Sequence, residues 1–313
     1  MAILKLAPVC KDYIWGGERL IKAYDKKYSG ERLAETWEVS CHKDGPCTIS
    51  EGEEQGKTLR EYIRKKGSTV LGKDCEKFGD FPILIKFIDA KQNLSVQVHP
   101  TDEYATEHEG QNGKTEMWYI SDCEKGAFLY YGFKRRVSKE ELRKRIEDNT
   151  VLEVLNKVKV KKGDVFFIES GTIHAIGAGI TVVEIQENSN VTYRVYDYGR
   201  RDKNGNEREL HIDKALEVTN TDKMEDDRSF MPHIAKCKYF TVDKIFLDGN
   251  TLSSLKGKVL EDSFVSIVIL EGEGTISQKK QLLKVKKGDS IFISAGSGDF
   301  EIRGALEGLL TKV

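Results

Sequence analysis

The 313-residue chain has little proline, no excess of charge of one sign and no long hydrophobic run. With only 5 prolines and no tract dominated by one residue type, long disordered linkers are not expected. Lys and Arg (50) balance Asp and Glu (51), so the basic surface that duplex nucleic acid requires is missing. The longest apolar runs, residues 81–87 and 264–270, are far shorter than the ~20 residues that span a bilayer. We therefore expect neither a nucleic-acid partner nor a membrane partner.

The chain also lacks the cysteine pattern and the motifs of several common protein classes. Its six cysteines are scattered and form no Cys-x-x-Cys pair. The N-terminal sequence has neither the apolar stretch nor the cleavage site of a signal peptide, so we expect free thiols and a cytoplasmic location. The glycine-rich phosphate-binding motifs, Gly-x-Ser-x-Gly and His-Glu-x-x-His do not occur. Nucleotide binding and the common hydrolase chemistries are therefore not indicated.

Short strands separated by turns account for most of the sequence pattern. Capping boxes at Thr58 and Ser138 predict two short helices, and a third is predicted over residues 213–218. Elsewhere apolar residues alternate with polar ones in period two, with turn signals every ~8–12 residues. The pattern predicts a mainly β protein built as a sandwich or barrel.

An internal repeat indicates how the chain is divided. Residues 158–171 recur at 283–296 with nine of fourteen positions identical, as a strand, a Gly-Asp turn, a second strand and a Gly bend. We interpret the repeat as two copies of one β-barrel unit, about the number of domains expected for this length. The predicted division is 1–235 for a metal-binding unit and 236–313 for a metal-free one.

Side chains that ligate metals are concentrated between positions 95 and 200. Gln97 and His99 are two apart in a predicted strand, so they face the same side. Glu116 opens an apolar strand, and His174 follows the first copy of the repeated strand and Gly bend. Two imidazoles, a carboxylate and an amide converging from three strands are typical ligands of a divalent metal. The spacing of these segments predicts one metal site.

Three charged residues in the same region are candidate catalytic groups. Lys114 lies two positions before Glu116 and is either a proton shuttle, a phosphate contact or a solvated loop lysine. Glu184 lies within a strand of a small barrel, where a carboxylate is either functional or exposed at the rim. Arg194 offers a planar cation suited to phosphate, with a buried structural ion pair as the alternative.

Taken together, the motifs resemble a known family. The order polar-x-His, Glu and Gly-x-x-His is similar to the cupin metal pattern, and the full set resembles type I phosphomannose isomerases of the short bacterial form. The motifs that carry the resemblance, in the order of the family and over nearly the whole chain, are YIWGG (13–17), ETWEVS (35–40), LSVQVHP (94–100), GKTE (113–116), SGTIHA (170–175) and NVTYRVYDYG (190–199).

This resemblance implies two cupin-type jelly-roll β-barrels with a few short helices. It also implies a zinc enzyme that interconverts mannose 6-phosphate and fructose 6-phosphate through an enediolate, with a small sugar phosphate as its partner. One Zn²⁺ per chain would be held by the residues that match the family's ligands, and Arg194 matches the active-site arginine. A functional role is favoured for Glu184, and a monomer is favoured. The matching zinc ligands are Gln97, His99, Glu116 and His174.

Two other functions remain open at this point. His99, Glu116 and His174 also satisfy the two-His-one-carboxylate triad of a cupin iron oxygenase, although Gln97 would take a position that O₂ needs. A non-catalytic carbohydrate-binding cupin, in which the metal only fastens the barrel, is the second alternative. Metal analysis with an O₂-uptake assay tests the oxygenase, and an assay for fructose 6-phosphate tests the binding protein.

Overall fold

β-Strands are the main regular secondary structure of the chain. The computed structural model describes residues 3–201, 204–225 and 228–313. Within these ranges the mainly β fold with few short helices is confirmed. No described helix combines the length and the apolar character needed to cross a membrane. All six cysteines are free thiols, as predicted.

The described strands are β1 (Ile3–Ala7), β2 (Val9–Lys11), β3 (Glu35–Val39), β4 (Thr48–Ile49), β5 (Ile83–Ala90), β6 (Val96–Val98), β7 (Glu116–Cys123), β8 (Phe128–Phe133), β9 (Leu155–Lys159), β10 (Val165–Ile168), β11 (His174–Ile176), β12 (Ile180–Glu187), β13 (Tyr193–Tyr196), β14 (Ala235–Lys236), β15 (Thr241–Asp248), β16 (Ser254–Val259), β17 (Val265–Gln278), β18 (Gln281–Lys286), β19 (Ser290–Ile293) and β20 (Gly298–Lys312). The described α-helices are α1 (Arg19–Lys22), α2 (Leu59–Lys66), α3 (Asp102–Glu109), α4 (Lys139–Glu147) and α5 (Ile212–Val218), and the 3₁₀ helices are Ser68–Val70, Lys73–Phe78 and Val151–Val154.

The described strands pair into three antiparallel sheets. A six-stranded sheet has the order β10-β7-β12-β5-β3-β2, and a five-stranded sheet has the order β13-β6-β11-β8-β9. The third sheet runs β14-β15-β20-β17-β19-β1-β4, with β16 on β20 and β18 on β17. Because β1 pairs with both β19 and β4, the N-terminal segment shares a sheet with the C-terminal unit. The division between residues 235 and 236 stays a prediction.

Both copies of the internal repeat have the same turn. In each copy the lysine backbone N–H donates to the carboxylate of the aspartate three positions later, from Lys161 to Asp164 at 2.9 Å and from Lys286 to Asp289 at 2.8 Å. The glycine before each aspartate has φ of 92° or 88°, a left-handed conformation that favours glycine. The repeat therefore encodes one strand-turn-strand unit twice.

Strand alternation separates the cores from the space that holds the polar residues. In the six-stranded sheet Ile85, Met117 and Ile185 face a core shared with the C-terminal sheet. In the five-stranded sheet Val98 and Val195 pack with residues of α4 and α5. Burying each such side chain contributes about 1.5–3 kcal/mol, so the register is strongly held. The intervening residues of both sheets must therefore face the space between them.

The three predicted helices are present as α2, α4 and α5, and two further helices, α1 and α3, were not predicted. At α2 the Thr58 hydroxyl accepts from Glu61 N–H at 3.1 Å, and the Glu61 carboxylate accepts from Thr58 N–H at 2.7 Å. Of the two additional helices, α3 is capped by Thr101 and ends at Gly110 with φ of 62°. Its first turn begins three residues after His99.

Candidate metal centre

The four predicted metal-binding residues lie together between the six-stranded and the five-stranded sheet. His99, Glu116 and His174 are fully buried, and one ligand atom of each lies within 4.8 Å of the others. Gln97 is the register partner of His174 across β6 and β11, and its Nε2 lies 3.4 Å from His174 Nε2. Among the described residues no second group of three His, Cys, Asp or Glu side chains has this spacing. The juxtaposition expected from sequence is therefore present.

Both histidine rings are held in one tautomer by backbone carbonyls. His99 Nδ1 lies 2.9 Å from the Val191 carbonyl oxygen, and His174 Nδ1 lies 2.8 Å from that of Thr172. Because a carbonyl only accepts hydrogen bonds, each Nδ1 carries the proton and each Nε2 keeps its lone pair. The Nε2 atoms lie 3.6 and 3.5 Å from the two oxygens of Glu116. This outer support is what orients a ligating imidazole.

Burial sets the charge of the cluster. Burial lowers the pKa of His174 to about 4, and burial together with the Lys114 ammonium holds the pKa of His99 well below its usual value. Both rings are therefore neutral at pH 7, the form that binds metals. Burial and the neighbouring Glu184 carboxylate raise the pKa of Glu116 to about 7. A divalent cation at this point would favour the ionised carboxylate.

The surroundings of Glu116 fit a bound cation. Its Oε1 is buried without a hydrogen-bond partner among the described residues, which is a costly arrangement for a carboxylate oxygen. Lys114 Nζ contacts Oε2 and lies 3.1 Å from His99 Nε2, so positive charge is stabilised here. Two imidazoles, one carboxylate and the Gln97 amide form a donor set that zinc accepts. The residues present therefore fit a zinc ion.

A cavity of about 370 Å³ opens beside the cluster. Gln97 lines it together with aromatic residues, polar residues and four cationic side chains. A larger cavity, of about 800 Å³, is lined largely by residues 12–32 and contains none of the predicted site residues. We place the binding site in the smaller cavity, because its polar and basic wall suits a small anionic ligand. Its cationic residues are Lys86, Lys114, Arg194 and Arg208.

Arg194 reaches the cavity from β13. Its Nε donates to Ser95 Oγ at 3.2 Å, and one terminal nitrogen donates to the Glu209 carbonyl at 3.0 Å. No carboxylate of the described residues forms an ion pair with it, because the nearby Asp197 is paired with Arg208 at 2.6 Å. Burial and the Arg208 cation both lower the pKa of Arg194. Its positive charge is thus only partly compensated and faces the cavity.

Glu184 is a buried acceptor at the base of the same cavity. Its Oε1 accepts from Lys86 Nζ at 3.0 Å and lies 3.7 Å from Lys114 Nζ, while its Oε2 accepts from Trp118 Nε1 at 2.9 Å. Burial alone would raise the pKa of Glu184, but the Lys114 and Lys86 ammonium groups lower it to about 2. Glu184 is therefore ionised and orients both lysines.

Lys86 is a site residue that was not predicted from the sequence. It lies in the run 81–87, whose pattern indicated only a buried apolar strand. Its side chain is buried between Glu184 and Glu35, whose carboxylate oxygen lies 3.9 Å from Nζ. Burial alone would lower the pKa of Lys86, but these carboxylates raise it. A lone lysine within a buried strand was the available signal, since a buried charge requires partners.

Family models and relatives match both parts of the chain. The model "Phosphomannose isomerase type I, catalytic domain" matches residues 3–129, and "Mannose-6-phosphate isomerase, cupin domain" matches residues 229–312. The mannose-6-phosphate isomerase ManA of Bacillus subtilis (strain 168) is 40% identical over 318 residues, covering 98% of this chain and 97% of that protein.

Solved structures share the fold over the full length. The crystal structure of the mannose 6-phosphate isomerase from Bacillus subtilis has a TM-score of 0.88 and 35% identity and covers 100% of both chains. A holo, zinc-bound mannose 6-phosphate isomerase has a TM-score of 0.79 and 17% identity and covers 99% of both chains.

Proposed function

The chain belongs to the type I phosphomannose isomerase family, and we propose that it is a zinc-dependent enzyme that interconverts mannose 6-phosphate and fructose 6-phosphate. One observation carries the proposal. The Glu116 oxygen that has no hydrogen-bond partner among the described residues lies against a neutral imidazole, beside a cavity with a basic wall. This combination supports a divalent cation next to an anionic polar ligand.

We assign the zinc ion to Gln97, His99, Glu116 and His174. One carboxylate and three neutral donors leave a divalent ion with net positive charge. Bound there, zinc would serve as a Lewis acid for the substrate oxygens, worth several kcal/mol. The relative with bound zinc has the same fold, which supports zinc as the metal.

We assign the two cavity arginines to the two anionic parts of the reaction. In the five-stranded sheet Arg194 is the register partner of Gln97, so it lies one strand away from the zinc ligands. It is therefore placed to stabilise charge on the enediolate oxygens. Arg208 is partly exposed and lies on the cavity wall. Its Nε and one terminal nitrogen donate to the Asp197 carboxylate, and we assign its other terminal nitrogen to the phosphate.

We assign proton transfer to Lys114 and a positioning role to Glu184. Isomerisation requires one group to move a proton between C1 and C2 of the sugar. Lys114 Nζ is the cavity-lining cation in contact with the proposed zinc ligands. Both oxygens of Glu184 already accept hydrogen bonds, and its low pKa makes it a weak base. The carboxylate therefore acts by orienting Lys114.

Substitutions of these two residues should lower turnover without loss of zinc. Lys114→Met should reduce kcat by ~10²–10⁴, the usual contribution of a proton-transfer group. Glu184→Gln should reduce kcat by ~10–100-fold, as expected of a supporting residue. Steady-state kinetics with metal analysis measures both effects, and Lys139→Met on exposed α4 is the control. A larger loss for Glu184→Gln than for Lys114→Met would make Glu184 the base instead.

Removal of the metal tests the function as a whole. We expect the purified protein to contain one zinc ion per chain, because the described part of the second unit has no matching ligand cluster. Chelation should abolish formation of fructose 6-phosphate, and one equivalent of Zn²⁺ should restore it. A coupled assay and elemental analysis provide the measurements.

Other outcomes of that experiment distinguish the alternatives. A ratio near two zinc ions per chain would overturn the single site. O₂ uptake with bound iron would favour the oxygenase. Bound metal without isomerase activity would favour a binding protein.

A further inference from the structure

Residues 113–116, which carry Lys114 and Glu116, are held by two carboxyl groups from other elements. Gly113 N–H donates to Asp102 Oδ1 at 3.0 Å, and Thr115 N–H donates to Glu187 Oε1 at 2.7 Å. The contact with α3 is close, since a Cβ on Gly113 would lie 2.5 Å from the Asp102 nitrogen. The backbone on both sides of Lys114 is therefore set by these two acids.

The two acids are neighbours, and Asp102 is bonded to the C-terminal unit. The buried Glu187 carboxyl lies beside the Asp102 carboxylate, and this neighbour helps to raise the pKa of Glu187. Asp102 Oδ2 also accepts from Tyr239 Oη at 2.5 Å and from Lys238 Nζ at 3.0 Å. Two neighbouring carboxylates repel, so the pair is stabilised when one of them is a carboxylic acid that donates a hydrogen bond to the other.

The proton resides on Glu187. Burial and the neighbouring Asp102 raise the pKa of Glu187 to about 8. Burial alone would raise the pKa of Asp102, but hydrogen bonds from Tyr239, Glu187 and Lys238 lower it to about 2. At neutral pH the acid of Glu187 therefore donates to the carboxylate of Asp102.

We propose that Glu187 and Asp102 form a carboxyl clamp that positions Lys114 and Glu116, and that Tyr239 holds this clamp in place. The inference rests on the proposed function, because it assigns the clamp to that same site. Neither acid lines the cavity or belongs to the His-Glu-His cluster, so both are positioning residues. The clamp also gives the C-terminal unit a role in the active site.

The charges around Glu187 predict what happens when the clamp loses its proton. The ionisable and charged groups that face it are Asp102 on α3 and the segment before β15, with Cys237, Lys238 and Tyr239. Above about pH 8 Glu187 ionises, and its carboxylate then repels the neighbouring carboxylate of Asp102. We expect residues 113–116 to loosen and kcat to fall.

Glu187→Gln and Glu187→Ala separate the clamp from mere packing. The glutamine amide can donate to Asp102 and accept from Thr115 N–H, but it cannot ionise. We expect Glu187→Gln to retain kcat within about threefold at pH 7 and to keep activity above pH 8, where the wild type declines. Glu187→Ala should lose ~10–100-fold in kcat at every pH, with KM nearly unchanged. The measurement is the pH profile of kcat and KM with zinc content.

Two readouts on the metal-free protein do not depend on activity. The native state holds the Glu187 proton more tightly than the unfolded chain, so this residue lowers stability as pH rises from its ordinary value of 4.5 to about 8. Glu187→Gln should flatten that slope. Tyr239→Phe should speed hydrogen exchange at the Gly113 and Thr115 amides. Tyr119→Phe is the matched control, since its hydroxyl donates at 2.6 Å to the carboxylate of Glu307 elsewhere.

The proposed clamp is contradicted if Glu187→Gln lowers kcat as much as Glu187→Ala does. It is also contradicted if the pH profile of kcat is the same for Glu187→Gln and the wild type. Equal exchange rates of the Gly113 and Thr115 amides in Tyr239→Phe and Tyr119→Phe would show that Tyr239 does not hold the clamp. If the wild type has no isomerase activity, the proposed function fails instead, and amide exchange and the unfolding slope still decide whether the clamp exists.

Discussion

Replacing His99 or His174 with alanine should remove most of the bound zinc and nearly all isomerase activity. Each ring contributes one neutral Nε2 to a site with few donors, and each is buried in the one orientation that its backbone carbonyl allows. Loss of an outer partner alone typically costs 10–100-fold in metal affinity, so loss of a ligand should cost at least that much. Elemental analysis measures the bound zinc, and the coupled assay measures the isomerase activity.

His108→Ala is the control for this prediction. His108 is exposed on α3, close in sequence to His99, and it lies outside the cluster. The control should keep full zinc and full rate. Full zinc and full rate in either cluster variant would show that the ligand assignment is wrong.

Arg194→Ala should lower kcat by ~10²–10³ while zinc content stays normal, because it removes a fixed cation aimed at developing charge. Arg194 lies one strand away from the zinc ligands. Among the described residues no carboxylate forms an ion pair that would neutralise its charge. Arg194→Lys should recover little, because a point charge does not replace the planar fork. Kinetics and metal analysis on the same preparations test both variants.

Arg303→Ala, at an exposed position of β20 in the C-terminal sheet, is the matched control. It removes an arginine from an ion pair far from the cavity and should leave kcat unchanged. If Arg194→Ala instead unfolds the protein or loses zinc, the arginine is structural, and the catalytic assignment fails.

Much of the candidate site could be predicted from sequence because β-strand geometry is local. Residues two apart on a strand share a face, so the sequence alone placed Gln97 and His99 together. The same rule placed the Arg194 side chain on the face of β13 opposite the core residue Val195. Lys86 obeys the rule too, but its strand is buried on both faces, so the alternation of residues did not show which face points to the site.

The clamp and the sheet shared by β1 and the C-terminal unit could not be predicted in this way. Glu187, Asp102 and Tyr239 come from three distant positions in the chain and meet only when the units pack. The pKa of Glu187 depends on this tertiary contact, since both burial and the neighbouring Asp102 raise it. Likewise β1 has the pattern of an ordinary short strand, and only the assembled sheet shows that its partner is β19.

Local chemistry therefore dictated the mainly β class, the repeated Lys-Gly-Asp turn, the helix starts at Thr58 and Ser138 and the face on which each ligating side chain lies. These depend on neighbours a few positions away, where backbone geometry leaves few choices. Tertiary structure decided which strands became neighbours, how far apart the ligand atoms lie and which charges are compensated. Those properties depend on contacts between residues far apart in the chain, such as Ile3 with Gln281. Such contacts depend on the packing of the whole core, so the local sequence pattern does not predict them.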